Sequence, residues 1–187
     1  MDAHAKILRD FRRQLERFPA SNMAEKRGLE YKVRSRFHHL FDPEGVGRLT
    51  AEDVREFLTF KGNRHWKNIH RYATRVTSDM EALRRTLEFA VRESVPLADR
   101  VNDILSGGEH SIYGLGKASL TPMMWAAKPD TYGIYNGRVN DALDGYGFLP
   151  DASVGERYVI VNNLVSQLAD EHDLTPYLVD FILPKLR

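Results

Sequence analysis

Residues 111–120, SIYGLGKASL, gather the residue types that can grip a phosphate. Gly114 and Gly116 can adopt positive φ and put no side chain over the backbone, so main-chain N–H groups can approach an anion. Lys117 adds a charge and Ser119 a hydroxyl donor. A helix starting at Lys117 would add the positive end of its dipole. Contacts of this kind do not sense base identity, so they predict salt-sensitive, sequence-independent binding to a nucleic-acid backbone. A tight corner between two helices, with Leu115 plugged into the core, would use the same residues. The pattern is not a P-loop. Ser111 stands where the first glycine is required, Ala118 stands where a hydroxyl must hold magnesium, and no parallel strand precedes it.

A second group lies upstream. Lys61, Asn63, Arg64, His65, Trp66, Lys67 and Arg71 set cations around an aromatic ring. On a nucleic-acid face Trp66 would stack on a base while the cations meet phosphates. In the other reading Trp66 packs in the core and the cations line its wet side. Downstream, Asn136 and Arg138 have two roles open to them: holding a phosphate or base, or capping a helix and tying down a turn.

Other chemistries are excluded or marked down. There is no cysteine, so disulfides, thiolate metal sites and cysteine nucleophiles are absent. Residues 42–53, DPEGVGRLTAED, have the glycine spacing of a calcium loop. However, Val46, Pro43 and the short Asp53 leave too few oxygens, so a turn and a capped helix are expected. The seven histidines contain no HExxH pair; His38 and His39 point to different helix faces, and His65 and His70 are poorly spaced for one face. No nucleophile-elbow motif supports a serine triad. Neither a metal nor a cofactor is expected.

The elements that must position these residues read as helical throughout. Ile7, Leu8, Phe11, Leu15 and Phe18 form one apolar stripe, ended by Pro19. Further helices are expected over about 22–41, from Thr50 with Asp53 as a capping pair, and from about Asn63 through Trp66, Ile69, Ala73 and Val76. Ser78 with Glu81 predicts the next start. Pro96 opens 97–105, Gly107-Gly108 breaks the chain, and Lys117–Ala127 follows, with Pro122 expected to shorten or kink its first turn. Asn136 can cap a short helix. Residues 156–172 and a last helix after Thr175-Pro176 complete an all-α fold of about ten helices. Residues 96–105, the glycine turn and the helix from Lys117 have the outline of a helix-hairpin-helix. The expected organisation is one helical domain, divisible into a basic lobe (1–95) and a second lobe (96–187) ending in acidic helices.

Charge is uneven under a net of only +1. Residues 1–37 hold ten Lys/Arg against five Asp/Glu, 61–92 hold eight against three, and 141–187 hold three against eight. A basic front and acidic tail suit an anionic partner, two lobes attracting each other, or solvated helix faces. No run approaches a membrane span, and the first twenty residues scatter Lys and Arg among apolar residues, unlike a secretory leader. A cytoplasmic protein with no membrane partner is expected.

Two resemblances bear on function. YGLGKASL with KPDTYGIYNGRVNDAL, about thirty residues, resembles the hairpin and following segment of helix-hairpin-helix DNA glycosylases. That resemblance implies a catalytic lysine and aspartate at the positions of Ala118 and Asn136. Neither residue can do the chemistry, since alanine forms no Schiff base and an amide is no base; Lys117, one position away, takes the lysine's place only if the register slips. Over residues 40–185, FDPEGVGRLTAEDVREFLTFKGNRHW, ESVPLADRVNDIL and GLGKASLTPMMWAAKPDTYGIYNGRV look like a module attached to bacterial restriction-type AAA ATPases and nucleases. Lys128, Pro129, Tyr132, Ile134, Tyr135, Asn136 and Arg138 carry that likeness. It implies a non-catalytic recognition or adaptor module in DNA restriction, defence or repair, with any motor supplied by another protein. The expected function is a non-enzymatic DNA-binding module contacting the phosphate backbone. The alternatives are an adaptor that docks an ATPase or nuclease, and a divergent glycosylase or nuclease.

Overall fold

A computed structural model describes residues 2–60 and 69–186. These form ten α-helices joined by loops and short 3-10 turns, with no strand among the described residues, in agreement with the all-α expectation. Lys61, Asn63, His65 and Trp66 lie outside the described residues, as does the start of the helix expected there.

Several helices begin where a side chain satisfies their orphan first-turn amides. Asp2 accepts from the His4 amide at the start of α1 (Ala3–Glu16), and α2 (Ala20–Phe41) follows Pro19 directly. Before α3 (Ala51–Thr59) the expected box closes in both directions. The Thr50 hydroxyl accepts from the Asp53 amide (3.2 Å), and the Asp53 carboxylate accepts from the Thr50 amide (2.8 Å). A single turn, α4 (Ala73–Val76), precedes α5 (Met80–Ala90). Its cap differs from the expectation: Asp79, not Ser78, accepts from the Ala82 amide (2.9 Å), because the Ser78 hydroxyl turns back to donate to the Arg75 carbonyl (2.7 Å).

α7 (Lys117–Ala127) runs through the centre, buried without a break from Ser119 to Ala127 and packed on α2 and α5. Pro122 lies inside this helix without ending it, and the Thr121 hydroxyl donates to the Lys117 carbonyl (2.8 Å) one turn back. α6 (Leu97–Leu105) lies against α9 (Val154–His172). Their approach is so close that a Cβ on Gly155 would sit 2.0 Å from the Ala98 carbonyl oxygen. α8 (Gly137–Gly145) and α10 (Pro176–Ile182) close the bundle. The buried apolar residues form one cluster from Ile7 to Leu186, and α2–α7, α1–α10 and α2–α10 packing all cross the boundary expected near residue 95.

The stretch 128–136 carries Tyr132, Ile134 and Tyr135 into this core outside any helix; after one turn, in which the Thr131 and Tyr132 amides donate to the Lys128 carbonyl (3.1 and 3.2 Å), its backbone runs extended. A buried backbone of that kind must find side-chain partners. The Gly133 amide donates to Asn162 (2.6 Å) and its carbonyl accepts from the Tyr158 hydroxyl (2.9 Å); the Tyr135 amide donates to the Thr121 hydroxyl (2.9 Å). The buried Arg100 donates to the last carbonyl of α5, at Ala90, and to the Tyr132 hydroxyl (3.0 Å). Much of the residue pattern behind the second resemblance therefore has a structural role in this chain.

Candidate nucleic-acid interface

The loop between α6 and α7 is pinned along its length. The Asp103 carboxylate accepts from the Glu109 and His110 amides and from the His110 ring (2.8 Å at Nδ1). Burial alone would push this carboxyl up, but those hydrogen bonds prevail and hold it below its ordinary value. The His110 ring stacks flat on Phe89, 3.7 Å between centroids, and the Thr86 hydroxyl donates to the His110 carbonyl (2.8 Å). Leu115 is buried, its amide bonded to the Ile112 carbonyl (3.2 Å), so it plugs the core as expected.

The two glycines differ. Gly114 has φ +90°, and a Cβ there would lie 2.8 Å from the Arg75 Cβ. Both the backbone and the close contact demand glycine. Gly116 is extended (φ −111°, ψ 173°) with open space where a side chain would go. It is the N-cap of α7, and its amide donates to the Ser119 hydroxyl (3.2 Å), which donates in turn to the Gly116 carbonyl (3.1 Å). Ser119 is 1% exposed. The amide and hydroxyl expected to meet a phosphate thus satisfy each other.

Lys117 is also turned inward. Its ammonium donates to Asn140 (3.1 Å) and lies 4.1 Å from the centre of the Tyr135 ring. Burial and the nearby Arg157 push its pKa down, against the pull of Asp144 and Asp141. Asn136 caps α8, accepting from the Arg138 and Val139 amides (2.9 and 3.1 Å) and donating to Asp180 (3.1 Å). That is the capping role left open in the sequence, and it also accounts for an amide at this position. Arg138 is exposed beside Lys26, Lys185 and Asp141 on the rim of a depression of about 630 Å³.

The side of the turn that does face solvent joins two segments distant in sequence. Because Gly114 packs on Arg75, the turn sits against α4, and the exposed Tyr113 and Arg75 meet: the guanidinium lies over the Tyr113 ring, 5.6 Å from its centre. Arg71 is exposed on the 3-10 turn before α4, and Tyr72 is exposed beside it. On the other flank Arg85 borders a depression of about 250 Å³ shared with Glu109, His110 and Ser111, though its guanidinium is paired with Glu81 (2.6 Å). Among the described residues, neither Arg71 nor Arg75 forms an ion pair.

Of the residues singled out in the sequence, Gly114 belongs to this face, and Arg71 is exposed four residues before Arg75. Gly116, Lys117, Ser119 and Asn136 serve the local architecture. Arg75 and Tyr113 were not singled out. The only sequence signal for Tyr113 is an aromatic residue at the tip of a glycine turn, and Arg75 had none beyond the basic stretch. Among the described residues, no three His, Asp or Glu side chains are placed to hold a metal, and no helix is long and apolar enough to cross a membrane. No family model matches the chain, and no curated protein or solved structure matches it.

Proposed function

We propose that the protein is a non-enzymatic module that binds DNA through its backbone, mainly without regard to sequence, using the face built from the 111–114 turn and the arginines behind it. The observation that carries this reading is the junction of Tyr113 and Arg75: a cation with no carboxylate partner among the described residues, beside an exposed aromatic on a loop fixed at both ends. Arg71 extends the cationic surface, and the basic residues Lys61, Arg64 and Lys67 directly precede it in the chain. The non-enzymatic part rests on residue types: the two positions at which the glycosylase likeness needs a lysine and an aspartate are Ala118 and Asn136. Fluorescence anisotropy of labelled DNA across a salt series tests the reading. About three phosphate contacts give a log–log slope of about −2 to −3. No binding, or affinity that ignores salt, sinks it.

One observation favours an adaptor as a second reading. Asp170, Glu171 and Asp173 are exposed at the C-terminal end of α9, where the helix dipole disfavours negative charge. A basic patch on an ATPase or nuclease would relieve that repulsion. Capture of such a partner that survives charge reversal at Asp170 and Glu171 counts against this reading.

A further inference from the structure

We infer that this face takes single-stranded rather than duplex DNA, with Tyr113 as a stacking platform for one unpaired base. The inference rests on the DNA-binding reading above. In a duplex the base faces are buried against one another, and a protein meets only phosphates, sugars and base edges. A flat aromatic side chain offers little to any of these. Single strands instead present bases that can be splayed out and laid on an aromatic ring.

Tyr113 is arranged for that use. It is 80% exposed, the most exposed large hydrophobic side chain among the described residues. Arg75 covers its ring from one side, so a base can take the other, giving an Arg–Tyr–base stack in which the guanidinium also attracts the strand's phosphates. Exposure alone is not the argument. Tyr31 is 74% exposed but lies within α2 with no cation over its ring among the described residues.

The platform is also held in place before any ligand arrives. Leu115 anchors one side in the core, and the Asp103–His110–Phe89 and Thr86 contacts anchor the other. Gly114 lets the chain turn tightly enough to set the ring against Arg75. A stacking residue on a fixed loop loses little further conformational freedom on binding. Tyr72, 37% exposed and three residues before Arg75, offers a second ring surface on the same segment.

The test uses the full chain and two labelled probes at one ionic strength, a twelve-nucleotide oligothymidine and a blunt twelve-base-pair duplex, read by anisotropy. Tyr113→Ala and Tyr113→Phe are measured alongside, with circular dichroism to confirm that each folds. The oligothymidine is expected to bind at least tenfold tighter than the duplex. Tyr113→Ala is expected to weaken the single strand about tenfold and the duplex by far less, while Tyr113→Phe retains wild-type affinity. Duplex binding as tight as or tighter than the single strand overturns the inference but leaves the DNA-binding reading intact. A single-strand preference that Tyr113→Ala does not touch overturns the assignment to Tyr113. Failure to bind either probe removes the DNA-binding reading and this inference with it.

Discussion

Gly114 holds the proposed interface together through two separate demands, a left-handed backbone and contact with the Arg75 Cβ. Replacing it by alanine forces a side chain into both. Gly114→Ala is expected to lower stability by about 1–3 kcal/mol and to weaken DNA binding, as the ring and guanidinium part. Gly116→Ala, at an extended position with open space, is expected to change stability by less than about 1 kcal/mol. Urea denaturation midpoints of the two variants check the contrast, and equal losses would contradict it. At this scale the sequence was legible where a residue's role is set by its neighbours: Leu115 as core plug follows from types and spacing alone, whereas capping was one of two roles open to Asn136, and the α8 amides and Asp180 decide it. Tyr113 over Arg75 was not legible, because it comes from packing between segments far apart in the chain. Lys117 shows the converse. As the only lysine at the turn it read as a phosphate ligand, yet Asn140 and the Tyr135 ring draw it inward.

Helix ends show how far local signals carry. The Thr50–Asp53 pair forms as read, whereas Ser78 loses its place to Asp79 because an upstream carbonyl competes for its hydroxyl. α9 begins two residues before the expected position. Ser153 and Glu156 form a reciprocal box there, a Ser-x-x-Glu signal hidden within the preceding glycine-rich loop. Ser153→Ala is expected to cost about 1 kcal/mol in thermal or urea unfolding. Titration adds a second check where α2 meets α10. Glu30 is buried, with one oxygen accepting from Thr175 and the other without a hydrogen-bond partner among the described residues, and burial pushes its pKa up despite Arg34 and Arg27. A carboxyl raised in the folded state favours folding at low pH, and that contribution is lost as pH climbs from the unfolded value through the folded one. Asp103 runs the other way. Held low by His110 and Glu109, it stabilises above the ordinary carboxylate range and loses that contribution as pH falls through its folded pKa. Glu30→Gln is therefore expected to raise stability at neutral pH and Asp103→Asn to lower it. Unfolding curves at pH 4 and pH 7 separate the two, and a like-signed response would contradict the assignment.

In the whole molecule, the expected boundary near residue 95 is bridged by helix packing and by one continuous core, so the basic front and acidic tail are carried on a shared scaffold. The all-α class was readable from periodicity because nearly every segment shows a helical stripe. The arrangement of those helices was not, since the contacts that set it, such as α6 against Gly155 of α9, leave only a glycine as their trace. The fold's consequence for the proposed function is that Arg75 and the 111–114 turn come to one surface, while Lys117 and Ser119 turn away from it. The most direct test compares the DNA affinity of Arg75→Glu and Lys117→Ala with wild type at fixed low salt. Arg75→Glu is predicted to bind at least tenfold more weakly, with the salt slope reduced by about one, and Lys117→Ala to bind within about twofold of wild type. Undiminished binding by Arg75→Glu, or a loss confined to Lys117→Ala, would contradict the account.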